Sequence, residues 1–280
     1  MTVGQSKQQL SKAGEIEGKV ALVTGASYGI GRATALLLAQ EGAYIAALAR
    51  SQERLNETVS LIEKEVGPKR ALGIVCDVTQ EQAVIDAFQK TIQQFGDLDI
   101  VISNAGSMQN APVEDASLKL WQDMYDVLAT AYFLVAREAF RYWKKQHHDG
   151  SIVFVSSKNA VAPSPGVSAY ASAKAASHHL ARCLAEEGGP LGIRVNCVMP
   201  DGVIRGTNIL PAEQRAKSAA RHGISADQLE EYYRQRNALK VVVTPEDVAE
   251  AILFLAGPRS SKTTGASITV DGGMAVAYMR

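Results

Sequence analysis

Thr24-Gly25-Ala26-Ser27-Tyr28-Gly29-Ile30-Gly31 stands between an apolar run, Val20-Ala21-Leu22-Val23, and an apolar helical run from Arg32 to Gln40. That order has one local solution: strand, tight turn, helix. The glycines of the turn let the backbone come close to a ligand. The helix start supplies N–H groups with no intrahelical partner and the positive end of the helix dipole. Together they suit a pyrophosphate, so the segment predicts a dinucleotide cradle. Its G-x-x-x-G-x-G spacing differs from the commoner G-x-G-x-x-G. Glycine turns between strand and helix also occur without a ligand, so the remainder of the chain has to decide.

Six more β-type runs follow: Tyr44–Ala49, Ala71–Cys76, Ile100–Ser103, Ser151–Val155, Ile193–Met199 and Ser267–Val270. They are nearly continuous in Val, Ile, Leu and Ala, as in strands covered on both faces. Segments of helical length and period lie between them, at 30–41, 51–66, 80–95, 117–146, 168–187 and 245–256. Breaks at Gly67-Pro68, Gly188-Gly189-Pro190 and Gly257-Pro258 separate them. The alternation predicts an α/β, doubly wound sheet of about seven mostly parallel strands, helices on both faces, with the ligand crevice at the carboxyl ends of the strands.

The 280 residues fit one such domain over 15–280, preceded by a polar N-terminal arm, 1–14, that lacks a signal-peptide core. Residues 202–240 interrupt the alternation with a charged helical stretch carrying Arg205, Arg215, Lys217, Arg221, Arg234, Arg236 and Lys240. It reads either as a lid-like insertion over the crevice or as a solvated helical pair in an oligomer contact. Lys+Arg and Asp+Glu both number 29. This balance gives no attraction for nucleic acid or an anionic membrane surface and tolerates self-association. No stretch reaches the roughly eighteen apolar residues of a membrane span. Cys76, Cys183 and Cys197 form no C-x-x-C pair. Two lie in apolar runs, which fits reduced, buried thiols and a cytoplasmic location.

Tyr170 and Lys174 lie four residues apart in the helical run 168–187, hence on one face. With nine tyrosines in the chain, that spacing alone carries little weight. Its position carries more: it follows the run Ser151–Val155 and the turn Ser156-Ser157 at the expected carboxyl edge of the sheet, with Ser157 thirteen residues before Tyr170. A hydride leaving a carbinol carbon for a nicotinamide needs a base for the hydroxyl proton, and the reverse needs an acid. A free phenol, with pKa about 10, is too weak a base at neutral pH. An ammonium within about 4 Å favours the phenolate by roughly 4 kcal/mol, or about three pKa units. Ser157 would hold the substrate oxygen against Tyr170. The plain alternative is a surface tyrosine with a neighbouring lysine.

Thr24-Gly-x-x-x-Gly-x-Gly31, Asp77, Asn104-Ala105-Gly106, Ser157, Tyr170-x-x-x-Lys174 and Asp271-Gly-Gly273 occur in an order that resembles the short-chain dehydrogenase/reductase family over residues 15–273. The resemblance implies a Rossmann-type fold, bound NAD or NADP, a Ser157, Tyr170 and Lys174 catalytic set, and a dimer or tetramer. It implies cofactor contacts from Gly25, Ser27, Tyr28, Gly29, Ile30 and Gly31, from Arg50, Asp77 and Val78, from Asn104, Ala105 and Gly106, and from Tyr170, Lys174, Pro200 and Val203. Four stretches, 126–140, 154–159, 180–188 and 227–234, look like the dehydrogenase domain of bifunctional rhamnulose-1-phosphate aldolase/lactaldehyde dehydrogenases. The implied substrate is a small hydroxy-aldehyde, sugar or polyol.

Two positions depart from the family pattern. Leu128 stands where most members carry an asparagine that helps hold a proton-relay water, so another path is required. Arg205 stands in place of a threonine after strand six; it could meet a cofactor phosphate or an anionic substrate, or lie on the surface. The second strand ends Ala47-Leu48-Ala49-Arg50-Ser51, with no acid for a ribose hydroxyl. Arg50 suits a 2′-phosphate, which favours NADP with NAD as the other possibility. Reduction of 3-oxoacyl thioesters and non-catalytic nucleotide binding are the competing functions. His147-His148 and His178-His179 are adjacent pairs pointing to different helix faces, read as exposed histidines with no metal.

Overall fold

Side chains of the strand runs alternate between two apolar layers. Val20 and Leu22 of β1 (Val20–Thr24) enter one core, and Ala21 and Val23 enter the other. In β2 (Tyr44–Ala49), Ala46 and Leu48 face the first layer, and Ile45 and Ala47 the second. Strands apolar on both faces are stable only when helices cover both. A computed structural model describes residues 14–207 and 212–277. The expected arm therefore falls outside the described residues, apart from Gly14.

Helices α1 (Gly29–Gln40), α2 (Gln52–Val66) and α3 (Glu81–Phe95) follow β1, β2 and β3 (Ala71–Val75). After β4 (Ile100–Ser103) come α4 (Leu118–Tyr125), a π-helical turn over Asp126–Thr130, and α5 (Ala131–Gln146). Helix α6 (Ser168–Gly188) joins β5 (Gly150–Val155) to β6 (Ile193–Pro200). Helices α7 (Ala212–Ala220), α8 (Leu229–Arg236) and α9 (Pro245–Ala256) precede β7 (Ser267–Val270). The strands pair in the order β3-β2-β1-β4-β5-β6-β7, every neighbour parallel. One core layer takes residues from α3, α5 and α6, the other from α1, α2 and α9. The strand order reverses between β1 and β4, which opens a crevice at their carboxyl ends.

The expected strands and most helices lie within one residue of their observed bounds. The run 117–146 differs, because a five-residue π turn divides it. No glycine or proline marks the place. Packing accounts for it: Met124 and Leu128 join the start of α6 in a small separate cluster, whereas α5 lies on the sheet. The wide turn changes the helix's facing between the two. Segment 202–240 forms α7 and α8 among its described residues, with residues 208–211 outside them.

Helix α9 starts with a reciprocal cap in which Thr244 Oγ1 accepts from Asp247 N and the Asp247 carboxylate accepts from Thr244 N, with Pro245 at the first position. Its end is held by Arg194 of β6, whose guanidinium donates to the carbonyls of Leu255 (2.9 Å), Ala256 (3.1 Å), Gly257 (3.2 Å) and Ser260 (3.1 Å). The Leu255 carbonyl also accepts from the Ser151 and Ser260 hydroxyls and the Gly257 carbonyl from Ser260, so Arg194 completes a shared cap on the helix end. Replacing Arg194 by methionine is expected to lower stability by about 2–4 kcal/mol and the thermal midpoint by roughly 5–12 °C, read by circular dichroism on heating.

Candidate active site

The glycine turn is built as its spacing requires. Gly25 and Gly29 hold φ of 68° and 59°, the left-handed region. A Cβ on Gly31 would lie 2.2 Å from the Gly25 carbonyl oxygen, so α1 can approach the turn only with glycine there. Tyr28, before α1, gives no side-chain cap, and the first turn contains no acid. Its N–H groups are left for an anion. Beneath the turn, Thr24 Oγ1 accepts from the backbone N–H of Asn104 (2.9 Å) and Ala105 (3.0 Å). Asn104 Nδ2 donates back to the Thr24 carbonyl at 2.9 Å.

From this turn a cavity of about 760 Å³ runs along the carboxyl edge of the sheet. Gly25, Ser27, Tyr28, Gly29 and Ile30 line one end. Arg50 directly follows β2, Asp77 and Val78 come from the loop after β3, Asn104, Ala105 and Gly106 from the loop after β4, Pro200 from the end of β6 and Val203 from the loop beyond it. Ser157, Tyr170 and Lys174 line the other end. Every expected site residue thus meets one cavity except Gly31, which packs under the turn instead. Asp77 is fixed by Thr79, whose N–H and hydroxyl donate to its Oδ1 at 3.0 and 2.8 Å.

At the far end Tyr170, Lys174 and Ser157 are all buried. Ser157 Oγ accepts from Asn159 N at 3.1 Å and lies beside the Tyr170 phenol, whose ionisation it eases. The expected pairing of Lys174 with Tyr170 is not the one observed. Lys174 Nζ donates to the Val155 carbonyl (2.6 Å) and to the Tyr132 hydroxyl (3.0 Å). Burial pushes the Tyr170 phenol up to about 12, against the effect of Ser157, and the nearby Asp201 carboxylate raises it further. The cofactor-free chain shows no fall of the phenol towards 7, and the lysine is itself desolvated: burial brings Lys174 down to about 7.

Several cavity residues escaped the sequence reading. Arg54, one helical turn beyond Arg50, lies with its guanidinium 5.3 Å from the centre of the Tyr28 ring. Its spacing from Arg50 was a usable signal. Asp201, directly after β6, lines the reaction end, and burial raises its carboxyl above the usual range. Tyr233 of α8 covers Gly202, where a Cβ would come within 3.0 Å of the ring. Nothing in the local sequence announces that contact.

Three expectations need correction or refinement. Arg205 does not line the cavity; it is exposed and pairs with Glu230 of α8 at 2.6 Å, which settles the surface alternative. His178 is buried rather than exposed, with Nε2 3.4 Å from Ser267 Oγ, since α6 turns that face to β7. His148 is half-buried near Asp97 and Asp99, whose carboxylates lie 3.5 and 3.7 Å from its Nε2. Asp99 is already engaged by Lys19 (2.7 Å) and the Val20 N–H (2.9 Å), which makes this group a brace at the amino end of the sheet. Cys76 and Cys197 are buried, and Cys183 is exposed.

A family model described as enoyl-(acyl carrier protein) reductase matches residues 25–275. The chain is similar to L-rhamnose 1-dehydrogenase (NAD(P)(+)) of Sphingomonas sp., with 35% identity over 93% of this chain and 98% of that protein. It also resembles the crystal structure of carveol dehydrogenase from Mycobacterium avium in complex with NAD, with a TM-score of 0.86, 30% identity and coverage of 93% and 99%. The chain belongs to the short-chain dehydrogenase/reductase family. A further relative, the uncharacterized oxidoreductase YuxG of Bacillus subtilis, is 47% identical over 95% of this chain, which spans only 39% of that protein's length.

As a short-chain dehydrogenase/reductase, the chain is an NAD(P)-dependent oxidoreductase. Its residues fit that cofactor: the uncapped start of α1 and the glycine turn suit a pyrophosphate, and the cavity continues from there to Ser157 and Tyr170. Among the described residues no helix is long and apolar enough to cross a membrane.

The buried lysine carries a cost. Lys174 is neutral above about 7 in the folded chain, against 10.5 for an ordinary lysine. Between these values the unfolded chain binds the extra proton, so stability rises with pH through that window. Lys174→Met is therefore expected to raise the thermal midpoint of the cofactor-free protein by about 4–8 °C at pH 7. The gain should vanish near pH 10.5, as followed by differential scanning fluorimetry across pH.

Proposed function

We propose that the protein interconverts an alcohol and a carbonyl on a small polar substrate, a hydroxy-aldehyde, sugar or polyol, with Tyr170 as general acid/base. The observation that carries this is the meeting of buried Ser157, Tyr170 and Lys174 in the cavity that begins at the glycine turn. The bound nicotinamide supplies hydride acceptance or donation. Ser157 holds the substrate oxygen. The Tyr170 phenol gives its proton to a carbonyl oxygen in reduction, and in oxidation it is the phenolate that takes the hydroxyl proton. Lys174 supplies positive charge behind the phenol whenever it is protonated, which eases loss of the phenol proton.

The polar substrate class is supported by Asn159, Asp201 and Tyr233, which surround Tyr170 in the cavity. A half-buried carboxylate there suits hydroxyl groups and disfavours an acyl chain, which weighs against 3-oxoacyl thioesters. The L-rhamnose 1-dehydrogenase relative acts on a sugar by its name, in line with this reading. The partial match to YuxG agrees with a dehydrogenase domain that also occurs within longer proteins, as in aldolase–dehydrogenase fusions. The described residues of 202–240 read as a lid over the substrate end: Gly202, Val203, Ile204, Thr207 and Tyr233 line the cavity, while Asn110 N donates to Gln214 Oε1 at 3.2 Å and Arg221 donates to the Pro165 carbonyl at 2.7 Å. Leu118, Trp121 and Phe133, exposed on α4 and α5, support a homo-oligomer.

NADP is favoured over NAD. Arg50 and Arg54 both line the glycine-turn end, β2 ends in Ala49 with no acid, and a 2′-phosphate between the two guanidinium groups would be stabilised.

A panel of hydroxy-aldehydes, sugars, polyols and short acyl thioesters, assayed with both nicotinamides by absorbance of the reduced form, tests the activity. Tyr170→Phe is expected to lower kcat by about 10³-fold or more, with cofactor binding by fluorescence unchanged. Cofactor binding with no wild-type turnover on any member would turn the reading to a nucleotide-binding protein. Arg50→Asp should reduce kcat/KM with NADP by about tenfold or more and spare NAD; equal kinetics with both cofactors in both proteins would refute the preference.

A further inference from the structure

A lysine this buried must satisfy its donors inside the protein. Lys174 Nζ does so at two fixed points, the Val155 carbonyl (2.6 Å) and the Tyr132 hydroxyl (3.0 Å). The Tyr132 hydroxyl in turn donates to the same Val155 carbonyl at 2.8 Å. Because its one proton is committed there, the oxygen can only accept from Nζ. The ring cannot swing away: it is buried and packs edge-on against Phe154, with centroids 5.0 Å apart at 85°. Lys174 also lines the cavity, so a valence of Nζ not taken by these two partners is available to it.

Position 128 contributes nothing to this arrangement. Leu128 is fully buried, lines the same cavity, and offers neither donor nor acceptor. A phenylalanine at 132 would fill the same apolar site against Phe154; only the hydroxyl is surplus to packing. We propose that the Tyr132 hydroxyl is the positioning group for Lys174, holding the amine against the end of β5 and aiming it into the cavity where Leu128 gives no polar support. This rests on the reading of Tyr170 and Lys174 as the groups that handle the proton. Tyr132 touches no reacting atom and acts through Lys174. The other titratable group acting on this amine is Cys197 of β6, which burial holds protonated; Cys197 and Tyr170 both act on the Tyr132 hydroxyl.

The test uses the full chain and Tyr132→Phe, with two readouts. The first needs no cofactor: Lys174 is titrated by competitive acetylation with acetic anhydride between pH 5 and 10, read by mass spectrometry. Losing an acceptor of the ammonium should lower its midpoint by about half a unit or more. The second is kinetic: kcat should fall about tenfold with the substrate KM within about twofold, and in a Lys174→Met background Tyr132→Phe should change the residual rate less than about twofold. An unshifted Lys174 titration in folded Tyr132→Phe, or a loss of kcat that persists undiminished in the Lys174→Met background, overturns the proposal. Should Tyr132→Phe fail to fold, 3-fluorotyrosine at 132 keeps the shape and weakens the acceptor; a smaller shift of the same sign supports the proposal and no shift overturns it. A shifted titration with no wild-type turnover would sink the oxidoreductase reading of the site and leave the Tyr132–Lys174 pairing intact.

Discussion

The hydroxyl of Thr24 ties together the two halves of the sheet where they diverge. It accepts the backbone N–H groups of Asn104 and Ala105 and donates to the Ile102 carbonyl, while the Asn104 side chain returns a bond to the Thr24 carbonyl. These bonds are buried, where an unmade partner would cost more than the bond itself contributes. They set the distance between the glycine turn and the end of β4, and so the floor of the crevice. The free N–H groups of α1, the Asp77 loop and the Ser157–Tyr170 pair keep their relative places because this junction cannot slide.

At the reaction end burial does two opposite things with one effect. It raises the Tyr170 phenol and lowers the Lys174 ammonium, and both shifts favour the neutral forms. The cofactor-free site is therefore electrically quiet. Charge near this end lies in Asp201 with Lys158 and Arg236 acting on it, and in what a ligand brings. A cationic ring arriving near these groups would favour the phenolate in a setting with little water to screen it. The stability lost by burying a lysine is the counterpart of that sensitivity.

The sheet was legible because Val, Ile, Leu and Ala runs of strand length leave few choices once both faces are apolar, as in Ile100–Ser103 and Ile193–Pro200. The dinucleotide end was legible because Gly25, Gly29 and Gly31 are dictated by backbone shape, which local sequence records. The partner of Lys174 was not. Tyr132 lies 42 positions away, and a π turn just before it alters the helical phase by which a neighbour could be counted. The same holds for Tyr233, brought to Gly202 by a segment whose fold depends on the cluster of Ile204, Ala219 and Leu229. Arg205 was left open between a ligand contact and the surface for the converse reason: a charge beside a motif suggests a ligand, yet a half-buried Glu230 on α8 satisfies it.

The contacts that hold α7 and α8 differ in kind from those under the glycine turn. The Arg205–Glu230 pair is solvent-exposed, and such pairs contribute only about 0–1 kcal/mol. Gln214 to Asn110 and Arg221 to the Pro165 carbonyl are single bonds at the rim. If this segment serves as a lid, its polar ties to the body are few and its hold rests on the apolar cluster of Ile204, Ala219 and Leu229, while the nucleotide floor stays rigid. A protein built this way can exchange small molecules at one end without disturbing what is gripped at the other, and its turnover would then be paced by how often the roof parts rather than by the proton and hydride steps.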